Sequence, residues 1–171
     1  SEDNATAVPR DYSIKVNQKD GVPLINVFGG KITNYRKLSE SVLNEVAAFF
    51  PKMRGPWTAE AYLPGGDFPV NGMSDLFIDL IKDYPFLSEK WATRLVKAYG
   101  REAFEMLGSV RSEDDLGINF GATLTQKEVE WLIREEFATS AEDILWRRSK
   151  LGLRMGALQV KNLQNFIASQ T

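Results

Sequence analysis

Residues 24–37 read LINVFGGKITNYRK and predict a strand, a tight turn and the beginning of a helix. The first five of these residues are a short β-rich run. Gly29 and Gly30 then allow a turn, because glycine adopts backbone conformations that other residues avoid. From Tyr35 onwards apolar side chains recur every three or four residues, which predicts a helix with one apolar face that ends at Pro51.

A second strand is predicted just before this stretch. Residues 12–16, Tyr-Ser-Ile-Lys-Val, alternate between apolar and polar side chains, which is the period of a half-buried strand. The pair Asp20-Gly21 lies between the two runs and is a typical hairpin turn sequence. Residues 1–56 are therefore expected to contain a β-hairpin, the glycine turn and one helix.

The rest of the chain is expected to be helical. Residues 51–73 hold four of the seven prolines and four of the 13 glycines, which indicates a linker. We interpret Leu63-Pro-Gly-Gly-Asp67 within it as a turn rather than as a substrate loop. Helix caps are predicted at Ser74, Ser88, Thr125 and Ser140, with Glu128 completing a capping box after Thr125 and Asp143 an acidic cap after Ser140. The predicted fold class is mainly α, with a multi-helix domain in residues 57–171 after the hairpin and helix.

The composition excludes several classes of active site. The 171 residues include no cysteine and no histidine, which excludes disulfide frameworks, thiolate nucleophiles, Ser-His-Asp triads and the usual zinc sites. No spacing of carboxylates indicates another metal site, and we predict none. Lys plus Arg is 21 and Asp plus Glu is 23, and a net charge of −2 gives no electrostatic footprint for nucleic acid.

The sequence shows neither a membrane-spanning segment nor a secretory signal. No apolar run approaches the roughly 20 residues that a spanning helix needs. The first ten residues, SEDNATAVPR, are polar and lack the apolar core of a secretory signal. We therefore expect a cytoplasmic protein.

The glycine turn is the best candidate for chemistry. A strand that leads through two glycines into a helix lets backbone N–H groups approach an anionic ligand, and the helix dipole adds to the attraction. Lys31 supplies an ammonium group at the mouth of this turn, and Arg10 precedes the first strand. The alternative is an ordinary tight turn without a ligand. A Gly-x-Gly-x-x-Gly fingerprint is absent, so a dinucleotide site would need residues from elsewhere.

Two other groups of residues have a structural interpretation. Four tryptophans lie at or beside apolar faces of the predicted helices, and we expect them in the core: Trp57, Trp91, Trp131 and Trp146. Arg147, Arg148 and Lys150 form a basic cluster. The cluster either complements the negative end of a helix dipole or contacts an acidic partner or another domain.

The sequence also resembles a known family. Residues 27–37, VFGGKITNYRK, are similar to the segment that ends the flavin domain of FAD-dependent glycerol-3-phosphate dehydrogenases. Asn34 departs from the threonine that is commoner there, which leaves the backbone of the turn unaffected. Five further motifs match in order, namely Arg10-Asp-Tyr12, Leu63-Pro-Gly-Gly-Asp67, Asp83-Tyr-Pro-Phe-Leu87, Asp115-Leu-Gly117 with Phe120-Gly121, and AEDILWRRSKLG at residues 141–152.

The resemblance implies a larger parent enzyme. Residues 1–56 would be the C-terminal tail of its FAD and substrate domain, and residues 57–171 its helical C-terminal domain. The parent is expected to oxidise sn-glycerol 3-phosphate to dihydroxyacetone phosphate with FAD and to pass the electrons to quinone. The chain alone is expected to be inactive and to hold no FAD, because half of the site is absent from it.

The resemblance also implies roles for individual residues. Lys31 matches a lysine that meets the substrate and the flavin, and Arg10 matches an arginine near the substrate. The turn is implied to border the isoalloxazine ring of FAD through the backbone of Gly29, Gly30, Lys31, Ile32 and Thr33.

The partners implied are the rest of the flavin domain, sn-glycerol 3-phosphate, and quinone or another electron acceptor. Nucleic acid is not expected. A homodimer and an attachment of the parent to the inner face of the cytoplasmic membrane are left open. The alternative function is a standalone helical protein-interaction domain without catalytic activity, which the tryptophan-rich helices and the basic cluster would serve.

Overall fold

The structure is a computed structural model that describes residues 11–170. The chain divides into two compact units, Ser1–Tyr62 and Leu63–Thr171. Helices predominate in the described residues, and the prediction of a mainly α fold with an N-terminal β-hairpin is confirmed.

The first unit begins with the hairpin that the sequence predicts. Strands β1 (Tyr12–Lys19) and β2 (Val22–Gly29) pair antiparallel, with Tyr12 opposite Gly29 and Lys19 opposite Val22. Asp20 and Gly21 form a two-residue turn and both have positive φ, at 53° and 80°. This backbone matches the right-handed twist of the strands, which explains why an Asp-Gly pair is found there.

One helix completes the first unit. A short 3₁₀ turn (Ile32–Asn34) leads into α1 (Tyr35–Val46), and a second 3₁₀ turn (Ala47–Phe49) follows it. Pro51 lies two residues beyond, as expected for a residue that cannot continue a helix.

The second unit contains the remaining elements. The helices are α2 (Met73–Asp83), α3 (Glu89–Tyr99), α4 (Glu102–Leu107), α5 (Gln126–Glu136) and α6 (Ala157–Gln170). Between them lie two 3₁₀ turns (Glu113–Leu116 and Leu151–Arg154), a short β-hairpin made of β3 (Asn119–Gly121) and β4 (Leu124–Thr125), and a π-helical segment (Asp143–Arg148). The second hairpin and the π-helical segment are not anticipated from the sequence.

The hydrophobic core lies within the second unit. Its buried side chains include Leu80 of α2, Leu95 of α3, Leu107 of α4 and Leu132 of α5, each no more than 2% exposed. Among residues 11–62, Val46 is the one apolar side chain that the structure shows as buried. The first unit therefore has almost no interior of its own.

Two of the four predicted helix caps are confirmed. The Ser88 hydroxyl accepts a hydrogen bond from the Trp91 backbone N–H at 3.4 Å. Ser140 and Asp143 bond each other in both directions. The Asp143 carboxylate accepts from the Ser140 N–H at 3.0 Å, and the Ser140 hydroxyl accepts from the Asp143 N–H at 3.1 Å.

The other two cap predictions are wrong. Helix α2 begins at Met73 with Gly72 as its cap, so Ser74 lies inside the first turn. Thr125 does occupy the N-cap position of α5, but its side chain makes no capping hydrogen bond. Glu128, the expected partner in the capping box, is instead buried because it pairs with residues of α3.

The Leu63–Asp67 stretch is a turn, as interpreted. The Gly66 N–H donates to the Leu63 carbonyl at 2.8 Å, and the Gly65 carbonyl accepts from the Arg101 N–H at 3.0 Å. Gly65 lies directly against Gly100 at the end of α3, and a Cβ on either glycine would lie 2.1 Å from a backbone oxygen. The turn is thereby fixed to the helical unit by a contact that only glycine permits.

The prediction for the tryptophans is half correct. Trp91 and Trp131 are buried in the core. Trp57 is 66% exposed because it lies in the irregular segment after α1 rather than on a helix. Trp146 is 43% exposed, and its ring lies close to Gly152, where a Cβ would come within 2.6 Å of it.

The basic cluster is used within the chain. The Arg147 guanidinium pairs with Glu142 at 3.2 Å and with Asp143 at 3.1 Å. Arg148 donates to the Glu136 carbonyl at 2.8 Å at the end of α5, and the Lys150 ammonium donates to the Trp146 carbonyl. The contacts of Arg148 and Lys150 with carbonyl groups agree with the interpretation in which the cluster complements a helix end, whereas Arg147 pairs with carboxylates of its own segment.

Candidate functional site

The glycine turn joins β2 to α1 through an unusual backbone path. Gly29 is the last residue of β2 and has a φ of 73°, and Gly30 follows with a φ of 99°. Lys31 then returns to an extended conformation, with φ −96° and ψ 150°. Two consecutive residues with positive φ explain the diglycine, because an L side chain at either position would be strained.

The turn rests on side chains of the hairpin and the helix. A Cβ on Gly30 would lie 3.5 Å from the Tyr12 Cβ and 3.7 Å from the Leu38 Cδ2, so the glycine is packed between β1 and α1. The Tyr12 hydroxyl oxygen lies 3.1 Å from the Ser41 hydroxyl oxygen in α1. The strand, the turn and the helix are thus held together at one place.

The outer side of the turn is open. Lys31, Ile32 and Thr33 are all exposed, and Ile32 shows 90% of its surface. Phe28 and Tyr35, which flank the turn, are also more than half exposed. In residues 11–170 no carboxylate lies within ion-pair distance of the Lys31 ammonium. The site therefore offers a cation, open backbone and apolar surface together.

The candidate residues are only partly brought together. Gly29, Gly30, Lys31, Ile32 and Thr33 are consecutive and form the turn described above. Arg10, the other candidate for contact with the substrate, lies outside the described residues.

The next basic residue along α1 is engaged away from the turn. Arg36 Nη1 lies 3.3 Å from Glu40 Oε1 and 3.3 Å from Thr58 Oγ1, and the Thr58 hydroxyl donates to the same carboxylate. The Thr58 hydroxyl, and after it the Arg36 guanidinium, lowers the pKa of Glu40 below its ordinary value. This group ties α1 to the segment that follows it.

A concavity of about 220 Å³ lies beside this group, and its wall includes Leu43, Met53 and Trp57. None of its lining residues belongs to the glycine turn. It is a mostly apolar surface of the first unit.

The second unit contains a buried polar network that the sequence analysis missed. Glu128, 2% exposed, accepts hydrogen bonds from both terminal nitrogens of Arg94 at 2.7 Å and from the Tyr99 hydroxyl at 2.6 Å. Burial, and after it the Glu128 carboxylate, raises the pKa of Tyr99. Arg94 also donates from Nε to the Thr123 hydroxyl at 2.9 Å. A signal for the burial of Glu128 was present in the sequence. Glu128 precedes Leu132 by four residues, which places Glu128 on the apolar face of α5.

Two features are absent from the described residues. Within residues 11–170, no group of three or more acidic side chains is arranged to hold a metal ion. None of the helices that the structure describes combines the length and the apolar character needed to cross a bilayer.

Comparison with known proteins gives the family. Residues 56–168 match the family model of the C-terminal domain of alpha-glycerophosphate oxidase. The chain is 40% identical over 169 residues to a glycerol-3-phosphate dehydrogenase of Pseudomonas aeruginosa, an alignment that covers 98% of this chain and 33% of that protein. It is 34% identical over 170 residues to the aerobic glycerol-3-phosphate dehydrogenase of Escherichia coli, covering 99% of this chain and 34% of that protein.

A third relative is named for a different substrate. The chain is 37% identical over 148 residues to a D-erythritol 1-phosphate dehydrogenase of Brucella abortus, covering 86% of this chain and 29% of that protein. In each case the chain spans about a third of the relative's length. Because the family model covers about two thirds of the chain, this chain belongs to the family of the C-terminal domain of alpha-glycerophosphate oxidase.

Proposed function

We propose that this chain is the C-terminal part of an FAD-dependent enzyme that oxidises sn-glycerol 3-phosphate to dihydroxyacetone phosphate. The observation that carries the proposal is the 40% identity to a glycerol-3-phosphate dehydrogenase over 98% of the chain. The second candidate substrate is D-erythritol 1-phosphate, which the 37% identity to the Brucella abortus enzyme supports. Both substrates are polyol phosphates, so the two candidates share one chemistry.

The turn fits the flavin. Gly29 and Gly30 carry no side chains, so a planar ring can approach the backbone from Gly29 to Thr33 closely. The exposed Phe28 and Ile32 offer apolar surface beside it. FAD, when bound, supplies the chemistry of hydride acceptance from the carbon that bears the substrate hydroxyl.

Lys31 is the residue of this chain that we propose to meet the reacting groups. The described residues leave its ammonium without an acidic partner, so its charge is available to the substrate phosphate or to negative charge that develops on the ring. A preorganised cation in a site from which water is excluded stabilises such charge more than a solvated cation does. Arg10 is proposed as a second cation near the substrate.

The surface of the first unit supports the proposed domain assignment. Val22, Leu24 and Phe28 lie on one face of β2, because residues two apart in a strand share a face, and more than half of each is exposed. A domain that stands alone rarely exposes so much apolar surface. We propose that residues 1–56 complete a flavin domain formed by polypeptide that this chain lacks, and that residues 57–171 are the helical C-terminal domain.

The remaining parts of the proposal rest on the resemblance alone. The electrons pass to quinone or to another acceptor, and the parent works in the cytoplasm or on the inner face of the cytoplasmic membrane. A homodimer is compatible with this arrangement.

The test uses the longer protein that carries this chain. Lys31→Ala is compared with Lys37→Ala, which removes an exposed lysine of α1. We expect more than tenfold loss of turnover for the first variant and turnover close to wild type for the second. Both substrates are tried with each variant. Turnover of Lys31→Ala at the level of Lys37→Ala would remove the proposed role of Lys31, and a longer protein without flavin would overturn the proposed function itself.

A further inference from the structure

We propose that Tyr12 is a positioning residue for the Gly29–Lys31 turn and that it acts through its hydrogen bond to Ser41. The inference rests on the proposed function, because it concerns how the turn presents Lys31. Nothing in the comparisons assigns a role to either residue.

Tyr12 is placed where it can control both ends of the turn. In the hairpin register it lies directly opposite Gly29, the residue at which β2 ends. Its hydroxyl oxygen lies 3.1 Å from that of Ser41, in the second turn of α1. One side chain therefore bonds the helix that follows the turn and stands beside the strand that precedes it.

The turn backbone also rests on this side chain. A Cβ on Gly30 would lie 3.5 Å from the Tyr12 Cβ, which is ordinary van der Waals distance. Gly30 thus lies beside the Cβ of Tyr12, while the hydroxyl at the tip of the same side chain reaches the helix. A change at the tip is transmitted to the place where the backbone turns.

The turn needs external support because it has little of its own. Two consecutive glycines have the greatest backbone freedom of any dipeptide, and neither carries a side chain that packs. A catalytic group has to be held within about 0.5 Å of its productive position. Lys31, which follows the glycines immediately, can be held this closely only if the neighbouring strand and helix are fixed to each other.

The experiment uses Tyr12→Phe and Ser41→Ala in the longer protein, since each removes the same hydrogen bond and leaves the packing in place. The matched controls are Tyr62→Phe, which changes an exposed tyrosine, and Ser39→Ala, which removes an exposed hydroxyl that bonds within α1. We expect kcat/KM to fall about fivefold for each test variant, the effect of one ordinary hydrogen bond, and to stay near wild type for the controls. The fall should lie mainly in kcat, because the groups that bind the substrate are still present.

Two combined variants separate positioning from general damage. Tyr12→Phe with Ser41→Ala should lose no more than either alone, because both remove one bond. Tyr12→Phe should cause no further loss once Lys31 is alanine, because Tyr12 acts through Lys31. A further loss in the Lys31→Ala background, or full activity of Tyr12→Phe while Lys31→Ala is impaired, would overturn the inference and leave the proposed function standing. An unimpaired Lys31→Ala variant would overturn both the role of Lys31 and this inference.

A measurement independent of activity completes the test. Order parameters of the backbone amides of residues 30–32 are measured by NMR relaxation in the longer protein without substrate. We expect them to fall from about 0.85 towards about 0.6 in Tyr12→Phe and Ser41→Ala, and to remain unchanged in Ser39→Ala. Unchanged order parameters in both test variants would show that the bond does not hold the turn.

Discussion

Arg94 and Glu128 form a two-pronged ion pair in the interior of the helical unit, with both N–O distances at 2.7 Å. Arg94 comes from α3 and Glu128 from α5, so the pair joins two helices through residues that are 34 positions apart along the chain. The Tyr99 hydroxyl donates a third hydrogen bond to the same carboxylate. A buried carboxylate with three such donors is fully satisfied, but removal of its charge leaves Arg94 without a counter-charge.

We therefore expect Glu128→Gln to lower the free energy of unfolding of the helical unit by about 3 kcal/mol. This loss is measured by urea unfolding, monitored through the fluorescence of the buried Trp91 and Trp131. Glu142→Gln is the matched control, because it breaks an exposed ion pair with Arg147 that should contribute less than about 1 kcal/mol. Equal effects of the two variants would mean that burial of the Glu128 pair has no energetic consequence.

The contact between Gly65 and Gly100 predicts that one added methyl group strongly lowers the stability of the fold. In Gly65→Ala the new Cβ would lie 2.1 Å from the Tyr99 carbonyl oxygen, at a residue whose φ is 70°. Gly108→Ala has a similar positive φ of 61°, but its Cβ would meet nothing closer than 3.7 Å. We expect Gly108→Ala to lower the free energy of unfolding by about 1 kcal/mol, because of backbone strain. Gly65→Ala should lower it by at least about 3 kcal/mol, because strain and clash act together. Thermal unfolding of both variants would show the difference, and similar losses would contradict the close approach.

Asp143 predicts a loss of stability in acid. Hydrogen bonds from the Thr139 backbone and, after it, the Ser140 hydroxyl lower the pKa of its carboxyl from 3.8 to about 2. A lowered pKa in the folded state stabilises the fold fully above the unfolded value of 3.8, and this contribution is lost as the pH falls towards 2.

The measurement is the urea midpoint of unfolding between about pH 6 and about pH 2. At about pH 6, Asp143→Asn should have a lower urea midpoint than wild type. The difference between the two midpoints should become smaller as the pH falls towards about 2. Asp114→Asn, a change at an exposed carboxylate, serves as the control. A difference that stays constant with pH would show that the charge of Asp143 does not support the cap.

The distribution of the core predicts which part of the chain folds independently. The described core side chains belong to residues 76–167, whereas among residues 11–62 Val46 is the one that is buried. Residues 63–171 expressed alone should unfold cooperatively, because a single cooperative core of this size suffices for a domain. Residues 1–62 expressed alone should show little dispersion in an amide NMR spectrum. A cooperative transition of residues 1–62 would contradict the proposal that this unit needs further polypeptide.

The isolated chain should also fail to retain flavin. In the proposed function the glycine turn forms one side of the flavin site, and its exposed residues have no cover in residues 11–62. We expect FAD added to the 171-residue chain to pass freely through dialysis, while the longer protein retains it. Retention of flavin by the chain alone, measured by visible absorption, would show that the site is complete without the remainder.

Local signals predicted the first hairpin and two of the four helix caps correctly. Asp20-Gly21 specifies a two-residue turn because both residues take positive φ there. Ser88 and Gly100 mark the beginning and the C-cap of α3 because capping depends on groups that are close in sequence. The same reasoning placed the glycine turn between a strand and a helix.

Local signals failed where distant residues compete for a side chain. Thr125 and Glu128 have the spacing of a capping box, but Arg94 and Tyr99 bind the carboxylate and draw it into the interior. Trp57 is of a residue type that is common in protein cores, but it lies outside the helices of the structure and its side chain is exposed.

By itself, the sequence determined the first hairpin, the diglycine between β2 and α1, and the exclusion of histidine and cysteine chemistry from these 171 residues, because each depends on residue type and short spacing. The tertiary structure alone decided that Tyr12 reaches Ser41, that Gly65 lies against Gly100, and that Glu128 neutralises Arg94. Each of these contacts joins residues about 30 positions apart, and their energies depend on a distance of a few ångströms that no local pattern encodes.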